Sequence, residues 1–399
     1  MRTNLCFVSA LAILTAGSLQ RLSAADAKSD DSGIDRPVTS QEVQQLKQEI
    51  SDYTSSSVEG IFDYHTETGD LNNRLDFLRY GARVNYKWSP DSTLYFRALG
   101  TSYMTTGRVF DEQAINLTAG IHKSVSESTS VQFEAGASRF TTSATTVNAL
   151  GSLEFKTDNG SSLYLRGSRT NVEESLLSAS GIRPTRGPFA GQLVGLVMDN
   201  RGLAGGVFKI TSRFDVSAEG GGGVRTGENV ESNLFKTASA GAGFNLVAEP
   251  DDSPVTLLRA SYGLDYFGFD KNLLGYGGVS LMDARGLPLL PAQVGGDNIS
   301  PLALSTNPGV GGYFSPAQFV SSVARVELRG RPNPAFEYQV SGFIGTQDYT
   351  GSERRRADGF FASVTLRLSD RFSLPVTYLR DNFGPFVQQS LFLRLVARL

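Results

Sequence analysis

His65 and His122 are the side chains best suited to proton transfer, and the sequence keeps them apart: one ends the first regular segment, the other lies near the opposite end of the fourth. A hydrolytic site needs its histidine within hydrogen-bond reach of a serine or an aspartate, so this placement at opposite faces predicts no shared catalytic site. No His, Cys, Asp or Glu grouping has metal-ligand spacing. The glycine run Gly220-Gly221-Gly222-Gly223 after Glu219 lacks the Lys-Ser/Thr of a phosphate loop and is expected to let a strand bend or narrow. A formal net charge of −3 gives no basic footprint for nucleic acid. Neither catalysis, a cofactor nor a metal is expected.

The remaining chemistry-bearing residues form a set with a regular setting: Asp63, Arg83, Arg97, Glu134, Glu154, Tyr164, Arg166, Arg259, Asp265, Arg325, Glu327, Glu337, Arg367 and Arg394. Each sits in a segment whose apolar residues recur at every second position. Ala82, Val84, Tyr86 and Trp88 alternate with Arg83, Asn85 and Lys87, and Val131, Phe133, Ala135 and Ala137 with Gln132, Glu134, Gly136 and Ser138. Such runs of about ten residues have the period and length of tilted membrane strands. Tight breaks such as Ser89-Pro90-Asp91-Ser92, Thr157-Asp158-Asn159-Gly160 and Ser369-Asp370 alternate with longer ones over 67–76, 171–187 and 271–315. Short turns on one side and long loops on the other predict an outer-membrane barrel.

Aromatic residues flank the runs. Tyr86, Trp88, Phe155, Phe336 and Phe372 would form a girdle on the short-turn side, and Tyr64, Tyr103, Phe140 and Tyr266 one on the long-loop side. A soluble sandwich would also alternate, but it needs no aromatic rings and its strands are shorter. The last segment alternates up to Leu399, as a strand closing a barrel against the first would. About seventeen segments can be counted. The number falls to an even sixteen if 189–211 is one strand despite the turn-like Asp199-Asn200-Arg201-Gly202. The predicted fold class is therefore all-β, a transmembrane antiparallel barrel over 55–399 whose sixteen strands enclose an aqueous lumen.

With the apolar phase given to lipid, the ionisable set lines the lumen, because charge facing hydrocarbon costs kilocalories. Mixed signs with tyrosines suit a neutral polar solute, a sugar above all; wall-to-wall ion pairing is the structural alternative. Upstream, residues 1–25 read as a signal peptide: Arg2, a short apolar run, and small residues before a cut after Ala25. A flexible linker over 26–36 and a periplasmic helix over 37–54 are expected next, the helix carrying Val43, Leu46, Ile50 and Tyr53 on one stripe. The mature chain would contain no cysteine, since Cys6 is the sole one.

The stretch Asn307 to Phe319, NPGVGGYFSPAQF, is rich in glycine, proline and aromatics. Loops this long without regular structure are unusual unless functional. Gly311, Gly312, Tyr313, Phe314 and Pro316 are read as the hinge of a gate formed by 271–315.

Four segments together resemble the C-terminal barrel of the bacterial cellulose synthase operon protein C family. They are Tyr266 to Asn272 followed by Gly311 to Pro316; Glu174 to Arg183, similar to that family's DSLLSYAG-R loop; Thr226 to Asn233, similar to its TGKNV-N element; and the approach to the barrel from Glu49 through Leu71. The family's Pro-Gln after Phe-Ser is altered here to Pro316-Ala317-Gln318. The resemblance implies a sixteen-stranded outer-membrane exporter of cellulose or a related β-glucan, fed by an inner-membrane synthase. No 34-residue helical repeat is visible, so the tetratricopeptide array that the family would imply is expected either to be absent or to lie on a separate periplasmic repeat protein. The rival expectation is a general or solute-specific porin without a polymer partner.

Overall fold

The computed structural model describes residues 55–69, 75–104, 112–142, 144–181, 183, 189–248, 254–271, 313–384 and 386–399. The expected signal peptide, linker and periplasmic helix lie outside them, as do Gly311, Gly312 and the segment 272–312. The described chain forms sixteen strands: β1 Ser57–Gly69, β2 Asp76–Ser89, β3 Ser92–Met104, β4 Glu112–Ser126, β5 Thr129–Phe140, β6 Thr145–Lys156, β7 Ser162–Asn171 and β8 Gly195–Lys209, then β9 Phe214–Glu228, β10 Val230–Ala248, β11 Leu257–Phe269, β12 Phe319–Asn333, β13 Phe336–Tyr349, β14 Arg355–Arg367, β15 Phe372–Phe383 and β16 Phe386–Arg398. One short helix, α1 (Leu176–Ala179), lies between β7 and β8.

Every strand pairs with its sequence neighbours, and β1 pairs antiparallel with β16 from Ser57↔Arg398 to Gly69↔Phe386. Closure removes the unpaired edges that would otherwise have to be satisfied in hydrocarbon. Asp199, Asn200, Arg201 and Gly202 are interior to β8, paired to β7 and β9. The turn-like composition misleads there because Asp199 and Arg201 point inwards to charged partners, and Asn200 and Gly202 outwards.

One phase of the wall is apolar and exposed: Tyr80, Phe96, Leu117, Phe133, Leu165, Leu264, Val326, Ile344 and Leu395 among others. A belt of this size around a closed barrel is a lipid-facing surface. Trp88, Tyr86, Phe155 and Phe372 are exposed toward the end that holds both termini, and Tyr64 and Tyr266 toward the other. Tyr103 and Phe140 correct the expected outer girdle. They are 2% and 3% exposed, because Tyr103 shares the phase of Arg97 and Phe140 that of Glu134, so both rings enter the barrel.

These two rings belong to an apolar cluster with Leu75, Phe77, Ala114, Leu176, Ala179 and Leu196. A second cluster gathers Val172, Val197, Phe235, Phe267, Phe269, Tyr313, Phe314, Phe319 and Phe386. The strand members of both stand at the ends far from the termini, so the buried apolar core fills the long-loop mouth while charge lines the wall below.

Candidate functional site: a lined lumen and a latched mouth

The fourteen predicted lumen residues all stand on the strand phase opposite the exposed apolar residues of their own strands. The structure joins most of them to residues outside that set. Arg97 Nη2 donates to Glu134 Oε1 at 2.7 Å, and Tyr95 Oη donates to the other oxygen of Glu134 at 2.8 Å. Tyr164 Oη donates to Glu219 at 2.7 Å. Arg259 forks onto both oxygens of Asp215 at 2.5 and 2.6 Å. Glu327 accepts from Arg329 at 2.5 Å and Gln339 at 2.9 Å. Asp63 faces Arg79 at 3.5 Å and Arg394 faces Glu59 at 3.8 Å. Glu154, Asp265, Glu337 and Arg367 stand in the register opposite Tyr164, Ser321, Thr365 and Ser373.

Several of these contacts share one construction. Tyr95 of β3 lies across Gly120 of β4 to reach Glu134 of β5, and a Cβ on Gly120 would collide with its ring. Tyr164 of β7 lies across Gly205 of β8 to reach Glu219 of β9; there an added Cβ would stand 2.6 Å from Tyr164 Oη. Arg259 crosses Gly243 to reach Asp215 in the same way. Guanidinium groups then lie over the flattened rings: Arg83 over Tyr95 and Arg166 over Tyr164, both at 4.2 Å, and Arg325 over Phe343 at 5.4 Å. Large side chains thus lie along the wall instead of projecting across the lumen. The rings expected to meet a solute are capped by arginine, so the lining presents guanidinium edges and paired carboxylates.

The glycine run in β9 pairs with β8 and β10 without a register shift. Its effect is close approach: Phe235 lies against Gly223, and Arg201 lies over Phe235 at 5.0 Å.

The mouth holds the groups that sequence reasoning missed. After β7 the chain turns inwards through Glu173 and Glu174 and forms α1, whose cap Ser175 and Ser178 satisfy each other's backbone N–H groups. Leu176, Leu177 and Ala179 are buried. Gly195 takes φ +96, a conformation glycine adopts freely, where β8 restarts against the Leu177 carbonyl.

Two latches hold this loop from different walls. Glu173 pairs with Arg79 of β2 and accepts from Tyr103 Oη at 2.8 Å. Glu174 accepts from Arg225 of β9 at 3.1 Å; Arg225 also donates to Asp199 at 3.1 Å, and Asp199 receives Arg201 at 3.1 Å. All four groups of this second network are nearly inaccessible, so the ions must pair to be tolerated.

Glu174 also accepts from the Phe314 backbone N–H at 2.6 Å, joining this loop to the one returning into β12. Tyr313 lies under Arg225 at 4.6 Å, and Phe314 packs on Phe267, Phe319, Tyr349 and Phe386. Tyr313, Phe314 and Pro316 are therefore buried within the mouth. The detectable signal was the Glu173-Glu174-Ser175-x-x-Ser178 sequence, an acidic pair placed on a helix cap. Their arginine partners are distant in sequence and could not be assigned.

Burial raises the Glu173 carboxyl, but Arg79 and Tyr103 outweigh it and hold the group below the ordinary glutamate range. A depressed carboxyl stabilises docking fully above its undocked value, near 4.3, and loses that contribution as pH falls through the lower docked value. Protease protection of residues 172–181 is expected to stay constant from pH 8 to pH 5 and to fall only in stronger acid. Loss of protection already between pH 7 and 5 would contradict this latch.

Residues 111–278, spanning β4 to β11, match the family model described as cellulose synthase operon protein C C-terminus. Among solved structures, a bacterial polysaccharide outer membrane secretin superposes with a TM-score of 0.58 at 11% identity, covering 87% of this chain and 99% of that one. CdiB from Acinetobacter baumannii gives 0.39 at 10% identity, over 85% of this chain and 60% of that one. The CymD monoaromatic hydrocarbon channel gives 0.38 at 10%, over 91% and 94%. No curated protein sequence matches the chain. The chain is thus a sixteen-stranded outer-membrane barrel whose residues 111–278 are similar to the cellulose synthase operon protein C C-terminus.

Proposed function

We propose that this barrel passes a polysaccharide, cellulose or a related neutral β-glucan, from the periplasm to the cell surface by passive conduction. The observation that carries this reading is the division of the lumen. Below the mouth, rings and guanidiniums lie flat over glycines and several charges, Arg97 with Glu134 and Arg259 with Asp215 among them, are paired, which leaves a polar duct with many shallow contacts for a neutral chain. At the mouth, a loop is held against two walls by Glu173 and Glu174, and this loop would act as the gate. The family match and the polysaccharide secretin among the structural relatives favour a saccharide cargo. Motive force would come from an inner-membrane synthase, with a separate periplasmic repeat protein as scaffold, and residues 37–54 are the segment offered to such a partner.

Planar-bilayer recording tests the reading. With the mouth unlatched by Arg225→Met, micromolar cello-oligosaccharides are expected to block the current in a length-dependent way. Free passage of small solutes with no oligosaccharide block at any length would assign the barrel to the porins instead.

A further inference from the structure

Ionised side chains on the lipid-facing phase gather toward one end of this barrel. Arg139, Arg169, Lys236, Arg356 and Arg380 lie on the outward phase of β5, β7, β10, β14 and β15, each near the strand end far from the termini. In an outer-membrane barrel the short-turn end with the termini is periplasmic, so these cations stand at the outer leaflet.

The group on β14 and β15 is built. Asp358 sits between two guanidiniums on adjacent strands, with Arg356 Nε 3.4 Å from Oδ1 and Arg380 Nη1 3.3 Å from Oδ2. Asn382 fixes the aspartate: its Nδ2 donates to Asp358 Oδ1 at 2.8 Å and its Oδ1 accepts the Asp358 N–H at 2.6 Å. Arg354 lies beside them, donating to Thr346 at 2.8 Å. Asp348 and Glu353 are exposed acids on and beside this face, so three guanidiniums meet three carboxylates. Arg356 and Arg380 remain 68% and 44% exposed. Arg380 is in register with Phe360, and Asp358 with Ile344, both apolar and exposed. The patch therefore caps the apolar belt at headgroup height, where an outward arginine costs little.

We propose that the outer face of β14 and β15 binds the phosphate of a phosphorylated lipid headgroup in the outer leaflet, with Arg356 and Arg380 as its ligands and Arg354 flanking. Paired arginines held by one carboxylate keep their remaining N–H edges turned outwards, and a guanidinium edge matches two phosphate oxygens at once. Acyl chains of the bound lipid would lie on the exposed belt beneath, against Phe360 and Ile344. This inference rests on the membrane orientation of the barrel and is independent of its cargo.

Native mass spectrometry of the detergent-solubilised protein tests it, with bis-phosphorylated lipid A, enzymatically dephosphorylated lipid A and inorganic phosphate as probes. The intact protein is expected to retain lipid A at least tenfold more than its dephosphorylated form, and millimolar inorganic phosphate is expected not to replace it. Arg356→Ala/Arg380→Ala should lose that preference, while heat-modifiable gel mobility reports that the barrel is folded. Arg356→Lys/Arg380→Lys, which keeps the charge without the fork, should show an intermediate preference and serves if the alanine variant does not fold. Equal retention of both lipid forms, undiminished preference in the variants, or full displacement by inorganic phosphate would overturn the proposal.

Discussion

Arg225→Met is expected to undock the loop latched in the mouth while leaving the sixteen-stranded wall intact. The substitution keeps an unbranched side chain of similar length but leaves Glu174 and Asp199 facing each other's surroundings without their shared cation. Removing one partner of a buried ion network costs about 3–5 kcal/mol; Asp199 keeps Arg201, but Glu174 stays desolvated with its cation gone. Tyr313 and Phe269 lose the guanidinium packed on them as well, at 4.6 and 4.9 Å. The strand hydrogen bonds do not depend on this site, so the strain is relieved by the loop leaving.

The expected readouts are hydrogen exchange at residues 172–181 faster by two to three orders of magnitude and a higher single-channel conductance. The double variant Arg225→Met/Glu174→Met should recover part of the loss, since the two residues act on one another and their effects will not add. Unchanged exchange in the single variant would show that the apolar cluster holds the loop without the latch.

Gly205→Val is expected to narrow the duct. Its Cβ would stand 2.6 Å from Tyr164 Oη and 2.8 Å from the Ala218 carbonyl oxygen, so the ring cannot stay on the wall. Tyr164 must then release Glu219 and swing toward the axis, taking Arg166 with it. Overpacking of this kind costs about 1–3 kcal/mol, which lowers the urea midpoint of unfolding. Measured in the Arg225→Met background, conductance should fall.

Gly202→Ala is the control on the same strand. Its added methyl meets nothing within 4 Å and faces lipid, so neither stability nor conductance should change. If Gly205→Val also leaves conductance unchanged, the flattened tyrosine does not govern the width of the duct.

The wall was legible because a strand in lipid must alternate. Hydrocarbon on one side and water on the other impose a period of two on every segment, and the inward set from Asp63 to Arg394 follows from that parity alone. The same parity, carried one step further, would have placed Tyr103 and Phe140 inside. They were misassigned because proximity to a strand end was given more weight than phase. Asp199 and Arg201 were obscured for a related reason: two inward charges separated by asparagine and followed by glycine have the composition of a turn, and only their partners distinguish them.

What sequence could not supply is which inward residues meet. Arg225 and Glu174 are 51 positions apart and Arg79 and Glu173 are 94 apart. Nothing local marks either pair, because contact between them is created by the strand register and by a loop that folds back into the barrel. The glycines under Tyr95 and Tyr164 are equally silent in one dimension: Gly120 and Gly205 become functional only when a ring on the preceding strand lies over them. Alternation by itself therefore determined that this chain is a barrel with a polar interior. The tertiary structure decided which inward side chains lie flat along the wall and which loop is latched at the mouth, since both depend on through-space contacts between segments that the membrane pattern treats alike.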